Sequence, residues 1–161
     1  MGKNRGFTLI ELLVTIAVLA IITTLATPTF KDIMLKQDFN KSTQELIFTL
    51  NQARSKAVLE RRVVTVNLNN TVPTANTANQ FNWMPTGKSI LKSSGSATTI
   101  VFGLTGGVFV VNPSDPTKWV PAAGITTFII CNKGGTDSDR KSKTISVSRM
   151  GTIQQVTEGT C

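Results

Sequence analysis

Hydrophobic positions divide the chain into three patterns. From Phe7 to Phe30, 24 residues run with a single charge, Glu11, and no glycine. At about 1.5 Å per residue such a helix is about 36 Å long, against a bilayer core of about 30 Å. From Lys31 to about Arg61 the apolar positions thin to one stripe, Leu35, Phe39, Leu46, Leu50, Ala53 and Ala57, at helical spacing. Lys36, Asp38, Lys41, Glu45, Lys56 and Glu60 fall off that stripe. The spacing predicts that the apolar helix runs on as an amphipathic helix packed on a sheet.

Beyond Arg61 the period shortens to two. Val63–Leu68, Thr98–Phe102, Val108–Val111, Thr126–Cys131, Thr144–Ser148 and Thr152–Val156 are β-branched runs bounded by Gly, Pro or Asn, and read as strands. Ten of the twelve glycines lie from Gly87 onward, which agrees with a helix first and short strands after. Asn69–Gln80 reads as a polar, mobile loop, and Asn112–Pro121, with three prolines, as another loop. The fold class expected is α+β: one long helix, then an antiparallel sheet or two small sheets. Trp83 and Trp119 each flank a proline-containing loop, where they either pack a sheet edge or anchor a protein contact.

The ends of the apolar run carry the chemistry. A basic leader with Lys3 and Arg5 precedes it and keeps the N-terminus cytoplasmic. A secretory signal would place its cut after the apolar run, and Thr24-Leu25-Ala26 resembles such a site. The length of the run, Glu11 within it and Pro28 beside that site argue against it. Here the small residue, Gly6, stands before the run, so a cut there leaves the helix on the mature chain. Glu11 is costly in a membrane unless shallow, paired or protonated. After a cut at Gly6 the new amino group of Phe7 lies near one helical turn away, as a partner on its own chain or a neighbour's. The alternative is an interfacial Glu that marks the membrane edge.

Charge and composition narrow the functions. The net charge is +8; from Lys31 onward 15 basic and 8 acidic residues leave about +7. A basic domain can meet phosphate or anionic lipid, or simply carry a solvated, soluble surface. There is no His, no Gly-rich phosphate loop and no cluster of metal ligands, so no enzyme activity, cofactor or metal is expected. Asp137 and Asp139 read as solvated loop carboxylates. Cys131 and Cys161, in a chain that crosses a membrane, suggest one disulfide; two separate buried thiols are the alternative.

Gly6-Phe7-Thr8-Leu9-Ile10-Glu11-Leu12, the apolar run and Pro28 resemble the N-terminus of type IV pilins and type II secretion pseudopilins. The resemblance implies a type IV pilin fold and three segments: a 1–6 prepilin leader peptide, a 7–30 transmembrane and assembly helix, and a 31–161 periplasmic globular domain. It implies a prepilin peptidase that cuts after Gly6 and methylates Phe7. Glu11 would neutralise the N-terminus of an adjacent subunit during assembly, and Pro28 matches the family's helix-kinking proline. The single-pass precursor would sit in the bacterial inner membrane before it enters a filament.

Asn51-Gln52-Ala53-Arg54-Ser55-Lys56-Ala57-Val58, with Arg61-Arg62-Val63 after it, is similar to the helix end of the GspH/FimT/FimU class. Phe128–Asn132, Asp137–Arg140, Ile145–Ser148, Gly151–Gln154 and Cys161 are most like FimU-type minor pilins, including a Cys131–Cys161 bridge. That class implies a non-catalytic tip adapter that helps initiate pilus assembly and links other minor pilins to the shaft of major pilin. An H-type pseudopilin of a type II secretion system is a second implication. A third is a pilin that binds DNA for transformation through Gly-Arg-x-Arg near the C-terminus. Here those positions read Gly151-Thr152-Ile153-Gln154, and both arginines are missing; Arg149 and the cluster Arg140, Lys141 and Lys143 lie near.

Overall fold

The computed structural model describes residues 6–161, apart from 69, 71, 93–97, 113 and 133–139; at 25–29, 31, 32, 116 and 117 it describes the backbone alone. One helix, α1, spans Leu9–Leu59 and continues through Pro28. Among the described residues nine strands follow: β1 Val64–Asn67, β2 Gln80–Asn82, β3 Ser89–Leu91, β4 Thr99–Phe102, β5 Val108–Asn112, β6 Asp115–Pro121, β7 Thr126–Asn132, β8 Lys141–Val147 and β9 Ile153–Thr160. They form two sheets, ordered β2-β1-β4-β5-β6 and β3-β7-β8-β9. The α+β expectation holds, with two small sheets. The chain falls into two compact units, Met1–Met34 and Leu35–Cys161.

In the second unit the helical stripe is the core. Phe39, Leu46, Leu50, Ala53 and Ala57 are buried at the spacing the sequence implies. They meet Val64, Val66, Phe81, Ile100, Phe102 and Val108 of the first sheet, and Phe128, Ile130, Ile145 and Val147 of the second. Alternate strand residues point inward, as a half-buried sheet requires. Buried Ser42 and Thr43 lie among these apolar residues, and Thr43 donates its hydroxyl to the Phe39 carbonyl at 2.8 Å. Ser42 Oγ accepts the Thr86 N–H at 2.8 Å and donates to the Thr86 carbonyl at 3.3 Å. Glu45, expected on the solvated side, accepts the Thr86 hydroxyl at 2.8 Å. The helix therefore holds the β2–β3 connection through hydrogen bonds as well as packing.

Several strand expectations need correction. The sheets are not wholly antiparallel: β1 and β2 run parallel, with Thr65 opposite Gln80 and Val66 opposite Phe81. Parallel pairing demands a crossover of about a dozen residues, and the 68–79 segment supplies it. Its last residues, from Ala75 to Asn79, are tied to the sheet by hydrogen bonds. The Asn79 carbonyl accepts from Thr65 N–H at 2.9 Å, and Asn82 N–H donates to the Asn76 side chain at 2.7 Å. The Asn82 amide donates to the Ala75 carbonyl at 2.9 Å. The proline-rich stretch expected as a loop contains β6, which sits at a sheet edge where a missing N–H breaks no ladder. Both β8 and β9 are longer than their β-branched cores.

Candidate functional site

The amino-terminal segment builds a helix start from three residues. Gly6 and Phe7 precede the helix and are exposed, with nothing within 4 Å of a Cβ placed on Gly6. Thr8 is the N-cap: its hydroxyl oxygen accepts the Glu11 N–H at 3.3 Å, and its carbonyl takes the first helical bond from Leu12 at 3.2 Å. Thr8-Leu9-Ile10-Glu11 has the spacing of a capping box, which fits a carboxylate in the first turn, where the helix dipole favours negative charge. Glu11 is thereby set one turn from Phe7.

The helix beyond this cap leaves its apolar side chains uncovered. Leu9, Ile10, Leu12, Leu13, Val14, Ile16, Val18, Leu19, Ile21 and Ile22 are all at least half exposed. A helix apolar on every side needs lipid or other helices around it. Its hydroxyls fit that surrounding. Thr15 donates to the Leu12 carbonyl at 2.8 Å, Thr23 to Ala20 at 2.9 Å and Thr24 to Ile21 at 2.8 Å. Each hydroxyl is satisfied inside its own helix and asks nothing of the surroundings. Among the described residues no helix is long and apolar enough to cross a membrane. In the sequence the run from Phe7 to Phe30 carries one charge, Glu11.

Residues 1–27 match the family model of the prokaryotic N-terminal methylation motif.

The methylation motif therefore ends inside the apolar run and includes Gly6, Phe7 and Glu11. Pro28 lies one residue beyond it; its backbone is helical. Two solved structures are similar to this chain, both crystal forms of the type IV minor pilin FimU from Pseudomonas aeruginosa. The first is 20% identical over 74% of this chain and 88% of that one, with a TM-score of 0.49. The second is 22% identical over 71% and 90%, with a TM-score of 0.48. No curated protein matches the chain.

At the other end Cys131 and Cys161 form a disulfide, with Cα atoms 6.0 Å apart and a sequence separation of 30. The bridge fastens the last residue to β7 across β8. The Cys161 N–H donates to the Arg140 carbonyl at 2.9 Å and Lys92 Nζ to the Cys161 carbonyl at 3.3 Å.

The basic residues considered for DNA do not form one group. Arg140 and Lys141 sit at the start of β8 and Arg149 beyond its other end, roughly 25 Å away at the rise of a strand. Lys143 faces the helix: its Nζ donates to Asn40 at 2.7 Å, pairs with Glu158 at 3.4 Å and lies 5.4 Å from the Phe39 ring centre. Asp137 and Asp139 lie outside the described residues, as do Lys3 and Arg5. Trp83 is buried in the core, whereas Trp119 is 41% exposed. Sequence reading missed Arg54, whose side chain lies against Gly151 at the turn where the DNA-binding pattern was sought. Helix periodicity marks Arg54 only as the neighbour of buried Ala53, and carries no sign of that contact.

Proposed function

We propose that this chain is a type IV minor pilin, a non-catalytic filament subunit made as a membrane-anchored precursor. The observation that carries the reading is the methylation motif at residues 1–27, with its small residue placed before an exposed apolar helix. A prepilin peptidase cuts between Gly6 and Phe7 and methylates Phe7. Residues 7–30 hold the precursor in the inner membrane, and residues 31–161 fold on the periplasmic side. Glu11, fixed one turn from Phe7 by the Thr8 cap, neutralises the amino terminus of a neighbouring subunit when the helices leave the bilayer to pack side by side.

Within the filament we assign the chain to the tip, as an adapter joining other minor pilins to the shaft. This finer role rests on the sequence resemblance to FimU-type pilins. The Gly151-Thr152-Ile153-Gln154 turn and the separation of Arg149 from Arg140 and Lys141 favour the adapter over a DNA receptor. Deletion of the gene, scored together for surface filaments, twitching, secretion and transformation, tests it. The adapter reading expects loss of filaments and twitching with secretion intact. A secretion defect with normal filaments would replace it by the pseudopilin reading.

A further inference from the structure

Three segments meet where α1 ends. The 103–107 turn joins β4 to β5, with Gly103 N–H bonded to the Gly107 carbonyl at 2.9 Å and Gly106 N–H to Gly103 at 2.8 Å. The 148–151 turn leads from β8 to β9, with Gly151 N–H bonded to the Ser148 carbonyl at 2.8 Å. Val108 N–H donates to the Arg149 carbonyl at 2.8 Å and joins the two. Arg54 lies across both turns. A Cβ on Gly151 would stand 3.0 Å from its Nε and one on Gly106 3.2 Å, with Val58 also against Gly106.

This end of the domain is left with unmet chemistry. Arg54 Nε is buried without an acceptor. Among the described residues Arg54, Arg61 and Arg149 form no ion pair. Arg61 also holds a left-handed backbone, φ 47°, at the helix end where glycine is the usual choice. On the same three segments large apolar side chains face water: Leu59 is 82% exposed, Met150 67%, Leu104 53% and Val58 43%. Leu104 continues into an apolar groove of about 410 Å³ whose walls include Val63, Phe109 and Trp119.

We propose that this surface, Arg54, Arg61 and Arg149 around Leu59, Leu104 and Met150, docks an apolar protein face bearing carboxylates. The partner's identity as a neighbouring filament subunit rests on the pilin reading. A carboxylate meets the free guanidiniums, and apolar side chains cover what is exposed; such mixed patches suit interfaces, where Arg and Met are enriched. A second copy is the poorer occupant, because from Lys31 onward the chain has 15 basic and 8 acidic residues. A nucleic-acid backbone would meet the arginines yet leave the leucines and Met150 in water.

The test places a photo-crosslinking residue at Met150 of the full-length chain, expressed in place of the wild type. Sheared filaments are irradiated and the crosslinked peptide is sequenced. The surface predicts a peptide of another filament subunit with carboxylates beside apolar residues. Arg149→Glu, checked for an unchanged melting temperature, should lower the yield about tenfold, and Asp or Glu→Lys in the captured peptide should restore it. A crosslink to a second copy, to nucleic acid or to a peptide without carboxylates overturns the proposal, as does no crosslink when the chain is present in filaments. Absence of the wild-type chain from filaments refutes the pilin reading instead. The same crosslinking and charge-swap comparison on the membrane fraction then decides the surface.

Discussion

Replacing Cys161 by Ser removes the one covalent bond that holds the C-terminal strand. With a sequence separation of 30 between the two cysteines, the chain-entropy relation gives about 3.6 kcal/mol of lost stability. The rest of β9 cannot offset that loss. It pairs only with β8, and from Gln154 to Thr160 every residue is exposed. Besides the backbone ladder it has the partly buried Ile153, the Ser142 hydroxyl donating to the Thr160 carbonyl at 3.2 Å and the Lys143–Glu158 pair, whose carboxylate is largely solvated. Urea denaturation of residues 35–161, which contain a complete core, should show a lower midpoint with little change in slope. Reduced wild type should behave like the variant, since both leave Cys131 a buried thiol. Hydrogen exchange should quicken most along β9 and least in β7, which is flanked by β3 and β8. A loss below about 1 kcal/mol, with β9 amides still protected, would refute the reasoning and mean that the strand is held by its ladder alone.

Leu46→Ala removes a fully buried side chain from the helix–sheet core and should cost about 2–5 kcal/mol by urea denaturation; below about 1 kcal/mol the core assignment fails. Gly151→Ala places a Cβ against the Gly106 carbonyl at φ 77°, and should cost about 1–3 kcal/mol by the same measurement. A neutral result would mean that the two turns separate freely. Glu11→Ala should leave processing intact, seen as a mature-size band, but lower incorporation into sheared filaments; normal incorporation would contradict the pairing role.

The helix and its inward face were legible because Phe39, Leu46, Leu50, Ala53 and Ala57 keep a period no loop would keep. Six strands were legible for the same reason at a period of two. Three were not. Both β2 and β3 are three residues long, too short for alternation to show, and β2 forms by parallel pairing fixed through the distant Asn79 and Asn82 contacts. Pro116 and Pro121 argue against a strand unless its place at the sheet edge is known. The amino-terminal motif was readable because it is local: Gly6, Phe7, Thr8 and Glu11 lie within six residues of chain. The arginine surface was not, since Arg54 meets the turns at Gly106 and Gly151 only through the tertiary fold.

Mass spectrometry of the chain recovered from its own cell envelope reads the amino terminus directly. The account predicts a mature protein that begins at Phe7 and carries one added methyl group on its α-nitrogen, with the Cys131–Cys161 bridge intact. An amino terminus at Met1, or one created beyond Ala26, would contradict it.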